Sequence, residues 1–140
     1  MQVRTKLFLL LISLGIHACD NYDAKLTIVN NTSDTIFYRI SFDNANFIYP
    51  IFIENGRINF QRTSYVLPDS INREPSLTKW ESLINKEGKD SCITIFFFNK
   101  DLINYAGKDS IMKYKLFSQR FKFNICDLEK LNWRVVYQEN

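Results

Sequence analysis

The run Cys92-Ile93-Thr94-Ile95-Phe96-Phe97-Phe98 narrows the folds open to this chain more than any other segment. Successive side chains of a strand point to opposite faces, and here both sets are apolar. A strand of this kind belongs at the centre of a sheet covered on both sides. Rings are available to cover it: the 140 residues include 12 Phe, 7 Tyr and 2 Trp, and each such side chain buries about 150–250 Å² when enclosed.

Strand patterns recur on either side of this run. Lys25-Leu26-Thr27-Ile28-Val29-Asn30 alternates and is β-branched, and Thr35-Ile36-Phe37-Tyr38-Arg39-Ile40-Ser41-Phe42 repeats the pattern. Between them Asn30–Asp34 supplies turn residues, so the two segments read as a hairpin. A second hairpin is signalled by Asn55-Gly56, which suit the positive φ angles of a type I′ turn, with arms Ile51–Glu54 and Arg57–Phe60. Pro50 has no amide donor and should start that first arm or lie on an edge. Thr63–Leu67 continues the second arm until Pro68 stops it. Residues 68–78 read as loop. Trp133-Arg134-Val135-Val136-Tyr137 closes the chain as a strand, and Tyr114–Phe123 gives one long or two broken strands with Phe121 and Phe123 on one face.

Helices are few and short. Thr78 and Glu81 have capping-box spacing for a helix to about Lys86, ended by Gly88, with Trp80, Leu83 and Ile84 on its buried side. Asn99 can cap a turn over Asp101–Tyr105 that Gly107 ends, and Asp109 another turn through Met112. Asn124 and Asp127 have cap spacing for a turn over Ile125–Leu131, with Asn132 suited to the left-handed position after it. These elements predict a mainly β fold: an antiparallel β-sandwich with short helical crossovers, the alternative being α+β with the Trp80 helix packed on one sheet.

The first residues supply an address. Arg4 and Lys6 precede the apolar run Leu7–Ile16, too short to span a bilayer of about 30 Å, and the segment closes on Ile16-His17-Ala18-Cys19. A basic end, roughly 10 apolar residues and a small residue before a cut make a secretory signal. The four closing residues resemble the lipobox of bacterial lipoproteins, whose Cys is diacylated and becomes the mature N-terminus. His17 departs from that pattern, which favours a small or short apolar residue there. The resemblance implies a signal peptide over residues 1–18, a lipidated Cys19 carrying acyl chains such as palmitate, a tether over 19–24 and a single β-rich domain over 25–140.

Cleavage there has chemical consequences. It leaves 122 residues, enough for one core, and 16 Lys and Arg against 15 Asp and Glu, a near-neutral surface with no electrostatic footprint for nucleic acid. It also removes His17, the sole histidine. Ser-His and Cys-His pairs and imidazole zinc sites are then excluded, and no metal or other cofactor is expected. Two cysteines remain, Cys92 and Cys126. Their even count in an exported chain allows one disulfide, against the commoner outcome of two buried free thiols.

Thr27–Ile36, Trp80-Glu81 and Asp127–Trp133 running into Val135–Tyr137, taken with the lipobox-like start, resemble small uncharacterised lipoproteins exported by Bacteroides-type bacteria. That group has no established activity to transfer, so the resemblance brings no catalytic residues. It implies an outer-membrane location in the cell envelope, on the periplasmic or surface face. It also recasts Asp34-Thr35-Ile36, Asp69-Ser70-Ile71 and Asp109-Ser110-Ile111, which look like O-glycan acceptors of exported proteins in such bacteria. Thr35, Ser70 and Ser110 are the candidate attachment sites, and ordinary turn and cap chemistry is the rival explanation. Asp20 and Asp23 resemble a weak surface-export tag, or serve as a solvated spacer.

Three functional classes follow. The first is a non-catalytic binding or accessory module, held to the membrane by its lipid and meeting a protein or glycan partner. Phe47–Ile53 is its candidate contact surface unless those residues are core. The second is a histidine-free envelope hydrolase using Ser with Lys, or two carboxylates converging in a cleft, with Asp101 and Asp109 in a turn-rich region. The third is an inhibitor or immunity-type lipoprotein, which the residues do not separate from the first.

Overall fold

The computed structural model describes residues 22–43, 47–55, 57–59 and 63–139. Within them the strands are β1 (Thr27–Asn30), β2 (Ile36–Ser41), β3 (Ile53–Glu54), β4 (Arg57–Ile58), β5 (Tyr65–Val66), β6 (Ser70–Arg73), β7 (Cys92–Phe98), β8 (Gln119–Asn124) and β9 (Arg134–Tyr137). The helices are α1 (Trp80–Glu87), α2 (Lys100–Tyr114) and α3 (Ile125–Lys130), with a 3-10 turn at Lys89–Ser91. The fold is mainly β and sandwich-like: a four-stranded sheet β5-β2-β7-β8 lies against a three-stranded sheet β6-β1-β9, and β3-β4 form a separate ribbon.

β7 is the axis of the larger sheet, paired antiparallel to β2 and β8, and every residue from Ile93 to Phe98 is buried. Its alternation divides two cores. Ile93, Ile95 and Phe97 join Ile36, Tyr38, Ile28, Val135 and Tyr137 between the sheets, where Trp80, Ile84 and Leu128 close the packing. Phe96 and Phe98 point the other way, into Phe37, Phe47, Tyr49, Ile51 and Ile111. Phe47 meets Phe96 edge-on at 5.2 Å and Phe98 at 5.8 Å, the geometry that ring quadrupoles favour. The segment weighed as a contact surface is therefore core: Phe47, Tyr49, Pro50 and Ile51 are buried and Ile48 is exposed.

The expected hairpin between the first two strands does not form. β1 pairs with β6 and, in parallel, with β9, whereas β2 belongs to the other sheet. Asn30 explains the crossing. Fully buried, its amide nitrogen donates to the carbonyls of Asp34, Val66 and Leu67 at 2.7, 3.2 and 3.0 Å, and its oxygen accepts from Thr32. The turn residues thus build a corner between sheets. The loop expected over 68–78 contains the edge strand β6, and β5 pairs with β2 instead of extending the second hairpin. That hairpin survives as β3-β4 with Asn55 at φ 51°, while Gly56 and Phe60 lie outside the described residues. The strand expected from Tyr114 starts at Gln119, because α2 runs on to Tyr114.

Two glycines shape the helices. Gly107 breaks α2 at φ 67°, ψ 165°, with Asn99 capping the first half through the Leu102 amide, as the spacing predicts. Gly88 ends α1 with an ordinary φ of −75°, but a Cβ there would stand 2.4 Å from the Ile84 carbonyl and 2.5 Å from that of Cys92. Close approach, not a left-handed turn, requires it. The capping box of Asn124 and Asp127 forms on α3, and Asn132 and Trp133 follow with positive φ.

Candidate functional site

The two ends of the sandwich carry different chemistry, and the β1–β9 register fixes which end is which. Thr27 sits beside Arg134 and Asn30 beside Tyr137, so the chain enters the fold at one end and leaves it at the other.

At the entering end, Asp23 is fastened into the body. Its amide and carbonyl exchange hydrogen bonds with Ser76 at 2.9 Å each, and its carboxylate accepts from the Trp80 amide at 2.9 Å. Thr78 was expected to cap α1; the cap residue is Lys79, which provides no side-chain bond, and Asp23 supplies that bond from a distance. Lys25 lies between Asp23, 3.5 Å away, and Glu81, to which it donates a hydrogen bond, with its ammonium 4.1 Å above the Trp133 ring. Burial tends to raise the Asp23 carboxyl, but the Trp80 and Lys25 amides and the Lys25 charge hold it below its usual value. The hydrogen bond from Lys25 likewise holds Glu81 low against its burial. These acids line an open hollow of about 570 Å³ with Tyr22, Leu77 and Lys79. An acid–base pair needs its two pKa values pushed apart. Here both carboxyls are pushed down together, and the cluster works as a clasp.

A second polar group bridges the sheets. The Tyr38 hydroxyl donates to Glu74 Oε1, and Asn72 Nδ2 donates to Tyr38 Oη at 2.6 Å and to Glu74 Oε1 at 3.1 Å. Burial pushes the Glu74 carboxyl up. Tyr38 is fully enclosed.

At the leaving end a groove of about 580 Å³ runs between α2 and the last strands. It is lined by Asn99, Asp101, Tyr105, Gln119 and Glu139, among others. The Tyr105 ring is 90 % exposed. Tyr137 forms the floor: burial and the Glu139 charge raise its hydroxyl, and hydrogen bonds with Ser118 and Asn99 partly offset this. The groove presents amides, carboxylates and one open ring, the groups that hydrogen-bond and stack against a polar partner.

The residues singled out from the sequence fall as follows. Cys19 lies outside the described residues. Thr35, before β2, and Ser70, first in β6, are both half-buried. Their turns meet at the leaving end, where the Asp69 amide donates to the Thr32 carbonyl at 3.2 Å and Asn30 opposes Ser70 in register. Ser110 is half-buried on α2, apart from them. Cys92 and Cys126 are free thiols: Cys92 opposes Asn124 at the end of the β7–β8 pair and its thiol donates to the Asp90 carbonyl, while Cys126 has passed onto α3 with its side chain exposed. Asp101 lines the groove and Asp109 is exposed on α2. Among the described residues no group of three or more His, Cys, Asp or Glu side chains could hold a metal ion, and no helix is long and apolar enough to cross a membrane.

The clasp and the Glu74 group were missed because each joins residues far apart in the chain. The one local signal is Asp23 and Lys25, two positions apart just ahead of β1. Comparison with family models, curated proteins and solved structures finds no match to this chain.

Proposed function

We propose that this chain is a lipid-anchored cell-envelope protein whose β-rich body is a non-catalytic binding or accessory module. The observation that carries the reading is the polarity of the sandwich. Asp23, four positions after the lipobox-like Cys19, is clasped at one end, and the groove around Tyr105 opens at the other. A body tethered at Cys19 would hold the groove away from the bilayer, where a protein or glycan partner can reach it. A catalytic reading finds less support at the clasp, because both carboxyls are held below their ordinary values, Asp23 by the Trp80 amide and Lys25, and Glu81 by its hydrogen bond from Lys25.

Mass spectrometry of the native N-terminal peptide tests the anchor: it should begin at a diacylated Cys19 and fractionate with membranes. A soluble product that retains Met1 would end the proposal. The binding role is tested by placing a photo-crosslinking residue at Tyr105 in intact cells. Reproducible adducts are expected there, and their absence from anchored protein would leave no binding module.

A further inference from the structure

We propose that the corner around Tyr22 and Leu77 rests in the headgroup layer of the bilayer holding the acyl chains, so that the body docks one end down instead of swinging on a free tether. This inference rests on the lipid-anchor reading above.

Three observations lead to it. The first is reach. Asp23 is fixed to Ser76 and Trp80, and extended chain covers at most about 3.3–3.6 Å per residue. The four steps from Cys19 to Asp23 therefore keep this corner within at most about 14 Å of the acylated residue, close enough to reach the headgroup layer, which is about 5–8 Å deep on each side of the hydrocarbon. The second is what the corner shows. Asp23 and Ser76 form an antiparallel bridge, which puts Tyr22 and Leu77 beside each other, 67 % and 73 % exposed. Among the described residues none covers these side chains, and Tyr at a membrane surface keeps its ring in the interface and its hydroxyl in water.

The third is charge. Lys25 is taken up by Asp23 and Glu81, and the adjacent Lys79 is exposed. Together these four groups leave the corner without net negative charge toward lipid phosphates. Once the acyl chains hold the body at the surface, docking is intramolecular, and a small apolar contact suffices because its effective concentration is high.

Hydroxyl-radical footprinting read by mass spectrometry tests the proposal. The acylated full chain in phosphatidylethanolamine and phosphatidylglycerol vesicles is compared with a soluble counterpart carrying Cys19→Ser behind a cleavable leader. Oxidation of Tyr22 and Leu77 should fall several-fold on the vesicles, while Tyr105 and Leu67 at the far end stay equally labelled. In acylated Leu77→Ser the protection of Tyr22 should shrink. Acyl mass at Cys19 with equal labelling of Tyr22 and Leu77 overturns docking and leaves the anchor standing. Absence of the acyl mass removes the anchor and docking together. Protection in cells but not on vesicles assigns the corner to a protein partner and overturns the lipid occupant.

Discussion

Asp23 and Trp80 lie 57 positions apart, yet the carboxylate of one accepts the amide proton of the other at 2.9 Å. The bond caps α1 and also stitches the segment ahead of β1 to the body. Because the Lys25 ammonium is shared between that carboxylate and the one of Glu81, three residues hold the chain where it enters the fold.

Replacing Asp23 should show how much this fastening contributes. Loss of a capping side chain costs about 0.5–2 kcal/mol, so Asp23→Ala should lower the urea midpoint by a corresponding amount and Asp23→Asn should recover most of it. Thr78→Ala, at the position the sequence marks as the cap, should change stability by less than about 0.5 kcal/mol. Equal losses at the two positions would contradict the assignment.

The same carboxyls predict an acid limb. Asp23 and Glu81 are held below their ordinary values of 3.8 and 4.5. The stability they add is complete above those values and is lost as pH falls through the lower folded ones. Thermal unfolding of Asp23→Ala followed from pH 6 downward, roughly across this window, should show a shallower fall than the parent protein.

Glu74 has the opposite sign. Burial raises its carboxyl above 4.5, so the folded state retains a proton the unfolded state has released. Stability from this group is greatest below 4.5 and falls as pH rises through the folded value. Glu74→Gln keeps an acceptor for Tyr38 and removes the titration. The Tm of the variant relative to the parent should therefore rise with pH across this range, and a flat difference would disprove the burial effect.

Much of this fold was legible because the signals were local. The β7 run announced a strand covered on both sides, and Asn99, Gly107, Asn124 and Asp127 sit where their cap and turn chemistry put them. The errors came from pairing. Asn30–Asp34 looks like a hairpin turn because Asn and Asp favour turns, and only the carbonyls of Val66 and Leu67 show that Asn30 builds a corner between sheets. Ser70–Arg73 reads as loop because four mixed residues between Pro68 and Pro75 have no strand pattern of their own; pairing with β1 makes them a strand. The clasp was illegible for the same reason: its members meet only after α1 has packed.

The two cores allow a test of the layered arrangement. Ile84 is fully buried in one and Ile111 in the other. Ile→Val at each should cost about 0.5–1.5 kcal/mol, and the double variant should lose the sum within about 0.5 kcal/mol, as independent sites do. Strong coupling in denaturant titrations would mean that the sheet between them transmits strain.

Gly107→Ala should destabilise by about 1–3 kcal/mol although nothing stands within 4 Å of the new Cβ, because the φ of 67° with ψ of 165° is a region that L side chains avoid. Gly88→Ala should also destabilise, by about 1–3 kcal/mol, for want of space. Differential scanning calorimetry should show Gly107→Asn no less harmful than Gly107→Ala, because Asn tolerates the left-handed helical region at ψ about 47° and not an extended ψ of 165°.

β1 lies between β6 and β9, with Thr27 beside Arg134. A sheet whose middle strand needs a partner more than a hundred positions further along cannot close until that partner, β9, is also in place. Before β9 is available β1 has only its antiparallel neighbour β6, so closure of this sheet is a late, long-range event in folding.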